Sequence, residues 1–237
     1  MKTRSISFIA IVALLTLSVS QAANQEQRYK ISAPDFDGIG KQYLGRSISY
    51  VMGHRGADWL ERTSREEEER TDLLIDNLPL SEDSVVADIG AGTGYFAFPV
   101  AQRIPRGKLF AVDIQQEMLD LIQQRKITDG ADNISLVLGT IKDVKLPPAS
   151  VDLAFIVDAY HEFSHPYEMG RSIFRALKPG GQLILIEYRA EDGSVPIKRL
   201  HKMTARQVDK EMRVLGFELT NALDVLPQQH FLIFTKP

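Results

Sequence analysis

The sequence predicts an α/β fold: a mostly parallel sheet with helices on its faces, closed by an antiparallel hairpin at the C-terminal end. Three observations predict it. Apolar runs recur at Val85–Ile89, Lys108–Val112, Ile134–Leu138, Val151–Val157 and Gln182–Tyr188. Helical stretches fall between most of them, at Tyr95–Arg103, Gln115–Lys126 and Tyr167–Leu177, and strands separated by helices of that size make βαβ units. After Tyr188 the alternation stops: a last helix, Thr204–Leu215 with Gly216 at its C-terminal cap, precedes two apolar runs, Phe217–Leu226 and His230–Thr235, around a short turn. Runs such as Leu153–Val157 are apolar without interruption, as strands covered on both faces are.

In chain order, residues 1–22 read as a signal peptide. Lys2 and Arg4 give a positive start, Ile6–Val19 is almost wholly apolar, and Ser20-Gln21-Ala22 places small residues before a cut. The apolar run is shorter than the ~20 residues of a spanning helix, so the expectation is a periplasmic or secreted protein with no stable membrane insertion after cleavage, and a cytoplasmic one if the signal reading fails. Residues 23–45 are polar, with Pro34, Gly38 and Gly40, and read as an irregular arm. Residues 46–80 read as a helical lid: Ser47–Leu60 carries apolar residues at helical spacing and the only tryptophan, Trp59. A capping-box pattern at Thr63–Glu67 then opens a helix with the stripe Leu73, Leu74, Ile75 and Leu78, ended by Pro79. The acidic run Glu66–Glu69 reads as its solvated face. Residues 81–237 make the α/β domain.

Composition narrows the function. The 237 residues carry a formal net charge of -3 and no basic run interleaved with aromatics, which argues against nucleic acid as a partner and favours a small molecule. There is no cysteine, so disulfides, thiolate metal sites and cysteine nucleophiles are excluded. No metal is expected from the sequence.

The chemistry centres on Asp88-Ile89-Gly90-Ala91-Gly92-Thr93-Gly94, where a strand ends and a helix begins across three glycines. Glycines permit positive φ and close approach of a ligand to the backbone. Gly92–Ala97 alone also satisfies the dinucleotide pattern G-x-G-x-x-A. Three neighbours shift the balance. Asp88, before the glycines, can meet the ammonium of an amino-acid ligand and would repel a pyrophosphate. Asp113 ends the second strand about twenty residues on, where an acid accepts ribose hydroxyls. Leu177-Lys178-Pro179-Gly180-Gly181 leads into the fifth strand.

With these motifs the chain resembles the class I S-adenosylmethionine (SAM)-dependent methyltransferases, which share a Rossmann-like sandwich. VVADIGAGTGYFA is similar to their first motif, FAVDIQQEML to the second-strand acid, VDLAFIVDAYHEF to the fourth-strand motif and LKPGGQLILIEY to the entry of the fifth. MGHRGADWLERTSREEEER and VPIKRLHKMT further resemble a group of bacterial exported methyltransferases of unassigned substrate. The resemblance implies that Asp88, Ala91 and the Gly90, Gly92 and Gly94 backbone hold the methionine part of SAM, with Asp158 lining that end. Asp113 would hold the ribose and Ile114 the adenine face, with Met118 nearby. Gly139-Thr140-Ile141 lacks the family's acid toward the adenine amino group, a role left to Thr140 or Asp143.

The crevice of such a fold lies beyond the strands' C-terminal ends, here Asp158–Glu162 and Glu187–Arg189. His161 is the general-base candidate because its ordinary pKa is near neutral, with Glu162 or Asp158 to orient it and Tyr160 beside it. His54, Arg55, Lys198, Lys202 and His230 are expected to converge into a pocket for an anionic small-molecule acceptor. The expected activity is SAM-dependent methyl transfer to an oxygen or nitrogen, against a nicotinamide oxidoreductase or a non-catalytic SAM- or nucleoside-binding module. Export sets a tension, since SAM is made in the cytosol.

Overall fold

A computed structural model describes residues 28–237; the signal-peptide expectation for residues 1–22 lies outside the described residues. The main sheet is built from β4 (Val85–Ile89), β5 (Lys108–Asp113), β6 (Ile134–Leu138), β7 (Val151–Val157), β8 (Leu177–Tyr188), β9 (Glu218–Leu223) and β10 (Gln229–Thr235), in the spatial order β6-β5-β4-β7-β8-β10-β9. The first five are parallel, and β10 runs antiparallel to both β8 and β9. The expected Rossmann-like order is therefore present. Its helices are α4 (Ala97–Arg103), α5 (Gln116–Asp129), α6 (Pro166–Ala176) and α7 (Ala205–Leu215).

Alternation along β7 divides the core. Leu153 and Phe155 face a cluster containing Phe98, Val100, Leu119 and Ile122 of α4 and α5. Ala154 and Ile156 face the opposite cluster, with Met169 and Ile173 of α6 and Met212 and Leu215 of α7. Thr204 caps α7 by accepting from the Gln207 amide, and Gly216 ends it with φ of 97°. Strand order reverses between β5 and β7, on either side of β4, so the ligand crevice opens beyond Ile89 and Val157.

The N-terminal third departs from expectation. In place of an irregular arm and a helix from Ser47, β1 (Tyr29–Ile31), β2 (Gly38–Tyr43) and β3 (Arg46–Ser49) form a small antiparallel sheet. It rests on the main domain through long-range polar contacts: the Lys41 ammonium donates to the Ser164 carbonyl, and Arg46 binds Glu211 and the His161 carbonyl. Tertiary partners override the weak local pattern. Of the expected helix, only the 3-10 turn His54–Gly56 and α1 (Ala57–Leu60) are helical. The expected capping-box helix is two pieces, α2 (Arg65–Glu69) and α3 (Thr71–Asp76), broken at Arg70 in the left-handed region at φ 52°, and no side chain caps α2. Glu69 is not solvated either: it is fully buried against Arg65, Arg62 and the Tyr188 hydroxyl. Among the described residues no helix is long and apolar enough to cross a membrane.

Candidate active site

The glycine turn holds itself closed. Gly90 and Ala91 both donate to the Val112 carbonyl, Gly94 donates to the Ala91 carbonyl, and the Gly92 amide donates to Asp113 Oδ2 at 2.9 Å. Four of the amides that would cradle a pyrophosphate are thus already spent, whereas a phosphate site needs them free. A Cβ on Gly92, at φ 53°, would meet Leu60 Cδ1 at 2.9 Å, so the turn and α1 close tightly on each other.

Beyond the turn, one cavity is lined by Gly90, Gly92, Asp113, Ile114, Gln115, Met118, Gly139 and Ile141, and on its other side by Met52, Trp59, Leu60 and Arg65. Gln115 ties the two sides together: its side chain donates to the Met52 carbonyl and accepts from the His54 amide. A second chamber of about 290 Å³ adjoins it, lined by His161, Tyr188, Pro196, Ile197, Lys198 and His201. Met52, Trp59, Asp158 and Glu162 line both. Asp158 sits at this junction with φ 48°, in the region that disfavours a side chain, and such strain concentrates at functional positions. Gln229 binds its Oδ2, and its buried Oδ1 has no partner.

Electrostatically the junction awaits a cation. Burial, together with the Glu69 and Glu187 charges, pushes the Asp158 carboxyl well above the usual carboxylate range. Burial raises Asp113 against its amide bonds and brings Glu162 up to about 7. Asp88, beneath the turn, is pushed up to about 8 by burial and by Asp113, and its Oδ2 is unpartnered. Crowded buried acids disfavour a polyanionic ligand and favour a cationic one. SAM fits: its ammonium and sulfonium match Asp158, Asp113 retains lone pairs for ribose hydroxyls, and Ile114, Met118 and Ile141 offer an apolar surface to adenine.

On the far wall, His161 Nδ1 lies 2.6 Å from Glu187 Oε2, and His161 Nε2 lies 3.1 Å from His201 Nδ1. Burial works against a charge on His161, yet the Glu187 carboxylate lifts its pKa above the ordinary value; burial and the His161 charge lower that of His201.

Residues 86–181 match the family model described as a methyltransferase domain. An uncharacterised methyltransferase-like protein of Schizosaccharomyces pombe is 31% identical over 57% of this chain and 50% of its own length. A malonyl-[acyl-carrier protein] O-methyltransferase of Methylococcus capsulatus is 30% identical over 55% of this chain and 50% of its own. The chain thus spans about half the length of the curated relatives it matches. The fold is shared with a SAM-dependent methyltransferase from Aquifex aeolicus, at TM-score 0.74 and 20% identity, over 78% of this chain and all of that one. Residues 86–181 thus carry a methyltransferase domain, on a fold shared with SAM-dependent methyltransferases.

Within the methyltransferase domain, Gly90, Gly92, Asp113, Ile114 and Asp158 line the cofactor cavity. Ala91 and Gly94 do not: they close the turn, and Gly94 packs under Phe98 and Ile122. Asp88 is buried beneath the turn and is not part of the lining. Thr140 is exposed and closes its own loop with Lys142 and Asp143, leaving Gly139 and Ile141 at the adenine end; a loop hydroxyl so occupied cannot also reach the ligand. Of the expected catalytic group, Glu162 and His161 reach the acceptor chamber. Tyr160 points away, fully buried, its hydroxyl donating to Glu211. The 3-10 turn at Tyr160–Glu162 turns successive side chains to different sides.

The expected basic pocket does not form. Lys198 lines the chamber, but His230 pairs with Glu191, Lys202 binds the carbonyls of Asp192 and Val195, and His54 lies beside Glu117. Sequence reasoning placed Tyr188 in the crevice but missed Arg65, Trp59 and His201 as lining residues. Arg65 and Glu69 stand four apart and so share a helix face; that spacing was the one local signal. Arg65 stacks over Tyr95 and Phe96 and donates to the Leu60 carbonyl, which fixes a cation at the wall of the cofactor cavity.

Proposed function

We propose that the protein transfers the methyl group of SAM to an oxygen of a small acceptor seated in the second chamber. The observation that carries this reading is the junction: two chambers meet at Asp158 and Glu162, and four amides of the glycine turn beside the first are already bonded within the fold. SAM supplies an electrophilic methyl group when bound. The chain's own task is alignment for an in-line displacement and removal of the acceptor proton. Trp59, Tyr188, Pro196 and Ile197 shape the acceptor chamber, and its lining lysine, Lys198, is paired with Asp37. Both ring nitrogens of His161 are engaged, by Glu187 and His201, so Glu162, which borders both chambers, is the better placed carboxylate to receive the proton. His161 orients that wall. An O-methyltransferase among the relatives agrees with an oxygen acceptor.

Calorimetric titration of the purified protein with S-adenosylhomocysteine and with NAD tests the reading. Binding of the first and not the second is expected, and Asp158→Asn should weaken it at least tenfold. NAD binding with no response to S-adenosylhomocysteine would refute it. Export is part of the proposal and rests on the composition of residues 1–22. A reporter active only outside the cytosol, fused to residues 1–40, should be active, and silence would refute export.

A further inference from the structure

The wall of the acceptor chamber contains three atoms that face one another from two segments, the turn after β7 and the insert beyond β8. His161 Nε2 and His201 Nδ1 are 3.1 Å apart, and Glu162 Oε1 lies 3.9 Å from the first and 3.7 Å from the second. Atoms with these separations share a centre about 2.1 Å from each, which is the length of a zinc bond to imidazole nitrogen or carboxylate oxygen. The far nitrogens point the same way. His161 Nδ1 lies 2.6 Å from Glu187 Oε2, and His201 Nε2 lies 3.2 Å from Asp37 Oδ2, close though poorly aligned for a hydrogen bond. A carboxylate behind each ring holds the proton on the outer nitrogen and leaves the lone pair facing inward, the arrangement that orients metal-ligating histidines. At 3.1 Å the two inner nitrogens either share one proton or, with both lone pairs inward, need a positive centre between them.

We infer that His161, His201 and Glu162 form a binding site for one divalent cation of the zinc type. Two nitrogens and one carboxylate select zinc, cobalt or nickel over magnesium or calcium, which take oxygen ligands. Three protein ligands leave a position open, and the chamber lined by Trp59, Tyr188 and Ile197 lies on that side. An acceptor oxygen there would be held beside the cation. That consequence rests on the methyltransferase reading; the cation site does not. It also replaces the expectation, drawn from the sequence, that no metal binds: His161 and His201 are forty residues apart and meet only in the fold.

The test is to strip the purified protein with a chelator and titrate it with zinc by calorimetry and with cobalt(II) by visible absorption. One equivalent of zinc is expected, with a cobalt spectrum of four- or five-coordinate form. His201→Ala and Glu162→Gln should each weaken binding at least tenfold, and Asp37→Asn roughly tenfold through the orientation of His201. Melting curves of the metal-free variants matching that of the parent would show that the fold survives. Should His201→Ala prove misfolded, Glu162→Gln and Asp37→Asn decide the matter. A protein that binds no zinc, so that the two rings share only a proton, would overturn the inference, as would one whose zinc affinity ignores all three substitutions. S-adenosylhomocysteine binding, measured on the same samples, separates this failure from failure of the methyltransferase reading.

Discussion

The two chambers that meet at Asp158 are built in opposite ways. The cofactor end has a local half, in which β4, the turn after it and the end of β5 supply Gly90, Gly92, Asp113 and Ile114, tied by hydrogen bonds spanning about twenty residues, and a second half from Met52, Trp59, Leu60 and Arg65 of the N-terminal cover. The acceptor end is assembled from four separate segments. Met52 and Trp59 come from the N-terminal cover, His161 and Glu162 from the turn after β7, Tyr188 from the end of β8, and Lys198 and His201 from the insert beyond it. Asp37, behind His201, arrives from before β2. The glycine turn and Asp113 should therefore depend less on distant contacts than the acceptor end does. Within one domain, a shared ligand can be kept by a local motif while the acceptor is set by packing.

The largest effect that would test this contrast is expected at Arg46, which binds Glu211 and the His161 carbonyl, and whose partner Glu211 is fully buried. Arg46→Ala strands that carboxylate, at a cost on the order of 3–5 kcal/mol. Chemical denaturation should record the loss, and the folded fraction should keep S-adenosylhomocysteine affinity within about threefold. A large loss of that affinity would show that the two ends are not separable.

Asp88 gives the next effect. Its folded pKa, about 8, lies above the usual carboxylate value, so the unfolded chain releases the proton first. Stability of the ligand-free protein should fall as pH rises from about 4 to about 8, by an amount on the order of a few kcal/mol. Asp88→Asn should flatten that slope in urea denaturation measured across the range, and an unchanged slope would assign the pH dependence to other acids. The smallest effect is at Thr140: with its hydroxyl occupied within an exposed loop, Thr140→Ala should leave cofactor affinity within about twofold by calorimetry. A tenfold loss would restore it to the adenine contact that the sequence suggested.

The limits of the sequence reading follow the same division. The runs Ile134–Leu138 and Val151–Val157 are strands over the residues that their pattern indicated, because alternation and apolar continuity act within a few residues. The small N-terminal sheet was not legible. Tyr29–Ile31 and Gly38–Tyr43 carry no apolar run, and what fixes them is contact with Ser164, Glu168 and Glu211 more than a hundred residues away. Glu69 was misread for the same reason, since a carboxylate in an acidic run looks solvated until Arg62, Arg65 and Tyr188 surround it.

By itself, the sequence determined the strand and helix alternation, the closing hairpin, the glycine turn and the Asp113 carboxylate. Each depends on spacing along the chain that local sterics and periodicity convert directly into geometry. Only the tertiary structure decided that Tyr160 faces the core and Glu162 the junction, and that Asp158 is strained with a free oxygen. It alone brought His201 and Asp37 to His161. Those facts depend on which distant segments share a wall, and no periodicity records that.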